Sequence, residues 1–148
     1  MKIKSLLKAI LICLIYLIAT SFQSPKLLKG TWEYLGGIHN GHPVPPPAGI
    51  KLERVYTENQ YEGFIVQKNG EKIRYNAGKY TIVNNIYKET QTFSNQPTLL
   101  TGKTVDYTYA IRNNKVTFKG QWYGKYPMED SWKKINWKRL QLDPVFSH

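Results

Sequence analysis

The clearest pattern in the chain runs from Thr104 to Arg112. There Val105, Tyr107, Tyr109 and Ile111 alternate with Thr104, Asp106, Thr108 and Arg112, with Ala110 the one small exception. An apolar residue at every second position marks a strand with one buried face. Val116, Phe118 and Trp122 repeat the pattern against Thr117, Lys119 and Gln121. Segments of similar character, rich in Val, Ile, Thr, Tyr and Phe, predict strands over 29–35, 50–57, 60–68, 71–83, 86–94, 103–112, 115–123 and 131–140. Between them stand Glu58-Asn59, Asn69-Gly70, Asn84-Asn85, Asn113-Asn114 and Gly124-Lys125. Asn tolerates positive φ and Gly adopts it freely, so such pairs suit two-residue hairpin loops. No stretch carries a helical period. Consecutive strands joined by hairpins form a sandwich or a closed meander. Closure leaves no unpaired edge, so the expectation is an all-β, eight-stranded antiparallel up-and-down barrel. Two connections are long. The segment 36–49 holds His39, His42 and the Pro43–Pro47 cluster, and is expected to be irregular because proline cannot donate to a ladder. The segment 95–102 contains Pro97.

The beginning of the chain has a different pattern. Lys2, Lys4 and Lys8 precede an unbroken apolar run from Ala9 to Ala19, and small residues Thr20 and Ser21 follow. A basic start, an apolar stretch of this length and a small-residue exit predict a secretory signal helix, cleaved after Ser21. Residues 1–21 are thus read as a signal peptide and 22–148 as a single domain. The protein is expected to be exported, to the periplasm or the extracellular space. The alternative is an uncleaved membrane anchor, although a spanning helix needs roughly 20 apolar residues. Cys13 is the only cysteine. Leu11 and Ile12 before it are too bulky for a lipid-attachment signal, so the mature chain is expected to carry no cysteine and no disulfide. Cleavage leaves 127 of the 148 residues, enough for one core.

Charge narrows the partners. The chain carries +11, falling to +8 once Lys2, Lys4 and Lys8 are removed. A basic exported protein is drawn to anionic surfaces such as lipopolysaccharide or acidic glycans, or it merely has a lysine-rich surface. Trp122, Tyr123, Tyr126, Trp132 and Trp137 interleave with Lys125, Lys133 and Lys134. Alternation places Trp122 and Trp132 in the core and leaves the outward aromatics to stack on sugars or meet lipid headgroups. Nucleic acid is not an expected partner, and the protein is expected to be a monomer.

Gly30-Thr31-Trp32 opens the first strand, and Trp137-Lys138-Arg139 stands near the end of the last. First and last strands are neighbours in a closed barrel, so Arg139 could stack over Trp32 at the closed end. Gly78-Lys79-Tyr80-Thr81-Ile82, Tyr87-Lys88-Glu89-Thr90 and Trp137-Lys138-Arg139-Leu140 follow in order. Over residues 27–141 these motifs resemble a lipocalin-like family of unknown function found in exported bacterial proteins, with a calycin-type barrel. The resemblance implies barrel closure by Gly30, Trp32, Trp137 and Arg139. The chain departs from the family pattern at Ile135 and Asn136, where an acid is common.

Glu89 shares strand parity with Tyr87, Gln91 and Phe93, so it is expected to point inward with them. A buried carboxylate needs a partner. Arg74 or Arg112 would serve in a structural pair, and otherwise Glu89 is a polar anchor in a cavity. Tyr80, Tyr87, Tyr107 and Tyr109 either fill the barrel or line a pocket beside it, as do Tyr61 and Tyr75. No enzyme is expected. His39 and His42 lack a third ligand for a catalytic zinc, Glu129 and Asp130 should point to opposite faces of a strand, and there is no nucleophile elbow or phosphate loop. No metal and no cofactor are expected. The function expected is binding of a small hydrophobic or amphipathic ligand at an open end lined by loops such as 36–49 and 95–102. The alternative is an envelope interaction protein with a filled barrel, binding acidic glycan or lipopolysaccharide through its basic aromatic surface.

Overall fold

The structure, a computed structural model, describes residues 27–96 and 98–135. The expected signal peptide, Cys13, Trp137 and Arg139 lie outside the described residues. Nine strands follow one another: β1 (Gly30–His39), β2 (His42–Val44), β3 (Lys51–Tyr56), β4 (Gln60–Val66), β5 (Lys72–Val83), β6 (Ile86–Ser94), β7 (Thr104–Arg112), β8 (Lys115–Trp122) and β9 (Tyr126–Ile135). Each strand from β3 to β8 pairs antiparallel with the next, and β1 pairs with both β3 and β9. The eight strands β1 and β3–β9 therefore close into an up-and-down barrel, and β2 is an extra strand.

Beyond Glu33, where β3 leaves it, β1 continues to His39 and folds back on itself. Asn40 and Gly41 take φ of 49° and 81°, and β2 pairs Pro43 with Ile38 and His42 with His39. Most of the segment expected to be irregular, residues 36–44 of 36–49, is thus a hairpin. Pro43 is tolerated because β2 is an edge. The last strand also differs from expectation: it begins at Tyr126, pairing with Trp122, rather than near residue 131. The paired asparagines behave as their chemistry predicts. Asn84 and Asn85 have φ of 50° and 63°, and Asn113 and Asn114 have 49° and 58°, the left-handed pairs that match the twist of hairpin strands.

The core is largely aromatic. Trp32, Tyr56, Tyr61, Tyr80, Tyr87, Phe118 and Trp132 pack with Leu28 and Val116. Tyr56 meets Tyr80 edge-on at 5.4 Å, and Tyr80 stacks on Tyr87 at 5.3 Å, both favoured ring geometries. Trp32 is fully buried, and its Nε1–H donates to the Leu28 carbonyl at 2.6 Å. Among the described residues, Lys134 is the cation over its ring, with Nζ 5.4 Å from the centroid. Trp132 is buried as expected, but Trp122 is 41 % exposed at the opposite end of β8. It lies at the rim, where the strand runs out beyond the packed core. Tyrosine rings crowd against inward glycines of neighbouring strands: a Cβ on Gly78 would lie 2.6 Å from the Tyr61 ring.

Candidate functional site

On β3, Leu52, Arg54 and Tyr56 share the inward face. Arg54 lies directly opposite Trp32 on β1 and is held over the Tyr61 ring at 4.5 Å and the Trp132 ring at 5.3 Å. Its Nη1 donates to Glu89 Oε2 at 2.9 Å, and the Tyr87 hydroxyl donates to the same oxygen at 2.8 Å. The two charged side chains are only 14 % and 13 % exposed. Burial alone would weaken the guanidinium's hold on its proton, but the Glu89 carboxylate keeps its pKa well above the ordinary 12.5.

Above this pair lies a second polar group. Asp130 on β9 accepts from the Tyr34 hydroxyl at 3.0 Å and lies 2.8 Å from His39 Nε2, both contacts falling on Oδ1. The His39 ring in turn lies 5.6 Å from that of Trp122, which stacks on Tyr123. A bulge brings these residues together. The β1–β9 register shifts between Tyr34 and Gly36, so inward positions change from even to odd and His39 turns toward the barrel interior.

The two polar groups border one cavity of about 630 Å³, within the range of small-molecule sites. Tyr34, Tyr75, Tyr107, Phe118 and Trp132 form much of its wall, with Leu52 and Ile65. Pro45 and Pro47 on one side, and Asn95, Gln96 and Thr98 on the other, form its mouth. At its floor Arg54 Nε and Asn76 Oδ1 are buried and meet no hydrogen-bond partner among the described residues. Burial, followed by the Glu89 and Asp130 carboxylates, pushes the Tyr75 and Tyr107 phenols above the ordinary 10.0, against the pull of Arg54. Burial and then Asp130 do the same to Tyr34. All of these phenols are therefore neutral donors at physiological pH.

Of the residues singled out from sequence, Glu89, Tyr87 and Tyr107 border the cavity. Tyr80 lies below it, donating to the Thr57 carbonyl at 2.7 Å, and Tyr109 packs on Phe118 at 6.3 Å. Neither belongs to the cavity wall. Glu89 pairs with Arg54, not with Arg74 or Arg112. Arg74 points outward, bonded to Glu62 and set over the Phe93 ring at 4.3 Å. Phe93 leaves the inward set because the β5–β6 register slips at Ala77/Gly78, and Ser94 takes its place at the cavity. Arg54 was legible from the alternation of Leu52, Arg54 and Tyr56. Tyr34, His39 and Asp130 were not, because the bulge that assembles them breaks the parity rule. Glu129 and Asp130 do face opposite ways: Glu129 pairs with Lys119 at 2.9 Å on the outside. Among the described residues no three His, Cys, Asp or Glu side chains converge to hold a metal ion.

No family model matches the chain, and no curated protein matches it. Among solved structures it is similar to a lipocalin-like protein from Bacteroides uniformis, at 10 % identity and a TM-score of 0.48 over 73 % of this chain and 98 % of that one. It is also similar to a redesigned β-barrel, at 13 % identity and a TM-score of 0.45 over 76 % of this chain and 96 % of that one.

Proposed function

We propose that this chain is an exported binding protein that carries one small hydrophobic or amphipathic molecule in the barrel. The observation that supports this most is the cavity of about 630 Å³, with apolar and aromatic walls and a few fixed polar groups at its floor and side. Such a composition suits a ligand whose body is desolvated while one or two polar atoms are oriented. The three lysines, apolar run and small-residue exit at the start of the chain support export. Native mass spectrometry of protein isolated from its own compartment is expected to find a bound small molecule. N-terminal sequencing of the same sample is expected to begin at Phe22. A bare barrel that also takes up no apolar fluorescent probe would overturn the binding reading, and an intact Met1 would overturn the cleaved signal.

The alternative, attachment to acidic glycan or lipopolysaccharide, draws support from the rim. Trp122, Tyr123 and Tyr126 are all exposed there, and Lys125 Nζ lies 5.2 Å from the Tyr126 ring. The cavity argues against the filled barrel this reading assumed. Salt-independent binding to such polymers would exclude it.

A further inference from the structure

Among the described residues, the charged side chains bordering the cavity are Arg54, Glu89 and Asp130, with His39 beside the last. They are not equivalent. Arg54 is wedged between Tyr61 and Trp132 and already bonded to Glu89, so this pair is neutral as a unit. Asp130 is different. Both of its contacts fall on Oδ1, and Oδ2 accepts no hydrogen bond among the described residues. His39 Nε2 and the Tyr34 hydroxyl both meet Oδ1, so the second carboxylate oxygen is left as an open acceptor on a side chain that borders the cavity. Lys51, Arg74, Lys88 and Lys119 pair on the outer face with Glu33, Glu62, Asp106 and Glu129, and among the described residues Arg54 is the cation that borders the cavity.

The surroundings of Asp130 suit a cation for a second reason. Tyr34 and Trp132, 5.0 Å apart, border the same cavity with Tyr75, Tyr107 and Trp122. Aromatic faces attract ammonium groups, more strongly where water is excluded. An anionic headgroup would meet two carboxylates and a guanidinium already in use.

Building on the binding reading, we infer that the ligand is an organic amine with an aromatic or apolar body, its ammonium on Asp130 Oδ2 and its body against the cavity wall. An ammonium donates to the free oxygen of Asp130 without disturbing Tyr34 or His39. Leu52, Ile65 and Phe118 then cover the apolar part.

The test compares three probes of one shape, 4-phenylbutylamine, 4-phenylbutan-1-ol and 4-phenylbutyrate, titrated calorimetrically into the mature protein. The amine is expected to bind about tenfold or more tighter than the alcohol, the least a charge-assisted hydrogen bond contributes, and the carboxylate weakest of the three. In Asp130→Asn the ratio of amine to alcohol affinity should fall to about one, whereas Glu129→Gln, on the outer face of the same strand, should keep it. Equal affinities for amine and alcohol, or a preference for the carboxylate, would overturn the inference and leave the binding reading standing. Exclusion of all three probes, together with an apolar fluorescent probe, would overturn both. The wild-type comparison decides the matter even where Asp130→Asn fails to fold.

Discussion

Arg54 and Glu89 illustrate how one residue pair sets the character of the interior. Each alone would be an uncompensated charge among tyrosines, and desolvating an isolated ion costs several kcal/mol. Together they are satisfied: Glu89 Oε2 receives Arg54 and Tyr87, and the guanidinium lies over two aromatic rings. Glu89→Gln keeps an acceptor for Tyr87 but removes the counter-charge of Arg54. It should destabilise the barrel by about 3–5 kcal/mol, the usual penalty for breaking a buried pair from one side. The double substitution Arg54→Met with Glu89→Leu should recover most of that loss, because neither charge remains to be desolvated. Denaturant midpoints of the three proteins decide this; a single variant as stable as the wild type would show that the pair is hydrated in solution. At this scale the sequence was half informative. Parity placed Glu89 inward, and the same parity on Leu52, Arg54 and Tyr56 points to its partner. Arg112 is on the outer face that alternation gives it, whereas Arg74, even-numbered like the inward Gly78 and Tyr80, is turned outward by the irregularity at Tyr75, and neither reaches the interior carboxylate.

At the scale of strands, number and order were readable because hairpin chemistry and period-two alternation reinforce each other, as at Asn84-Asn85 and Asn113-Asn114. Bulges were not. A single extra residue near Leu35, Tyr75 or Thr92 inverts the faces beyond it, and no composition marks it. Those inversions carry His39 inward and Phe93 outward. The pairing between β7 and β8 holds a further consequence for binding. It spans Tyr107–Arg112 with Lys115–Gly120 and stops there, so Thr104–Asp106 pair only with β6 and Gln121–Trp122 only with β9. A second hollow of about 780 Å³ lies at this parting, and Leu100, Tyr107 and Tyr123 border both it and the central cavity. The barrel wall is thus open on one side near its mouth. Segments 104–106 and 121–122 should exchange amide hydrogens about tenfold faster than 107–112 and 115–120, since local opening there breaks fewer bonds. Hydrogen–deuterium exchange by mass spectrometry checks this, and uniform protection along β7 and β8 would show the wall to be closed. Ligand occupancy should slow exchange at the parting, because a bound molecule would press on Leu100 and Tyr107.

Across the whole molecule, charge is sorted by depth. Lysines and acids pair on the outside, whereas the interior is built of neutral phenols around one ion pair and one further carboxylate. Tyr34, Tyr56, Tyr61, Tyr75, Tyr80, Tyr87, Tyr107 and Tyr109 all have their pKa raised by burial above the ordinary 10.0, Tyr80 to about 12. Six of them also feel the carboxylates of Glu89 or Asp130, which would repel a phenolate. The sign of the pH dependence follows. Below pH 10 the phenols are neutral in both folded and unfolded chains, and their contribution to stability is intact. Above 10 the unfolded chain sheds phenolic protons that the barrel retains, so stability falls as pH climbs through the folded values, near 12 for Tyr80. The denaturant midpoint should therefore hold below about pH 10 and drop steeply between about pH 10 and about pH 12. The ultraviolet absorbance of these phenolates should rise together with loss of the near-ultraviolet circular dichroism, as a single cooperative step. Gradual ionisation of all the tyrosines with the dichroism unchanged would mean that water reaches the rings in the folded state. Filling the cavity bears on the same measurement. A ligand seated against Tyr34, Tyr75 and Tyr107 binds only the folded chain, so at saturation it should move the alkaline transition to higher pH. A bound molecule that leaves the transition where it was would have to bind the folded and unfolded chains equally, which a site assembled by the barrel does not do.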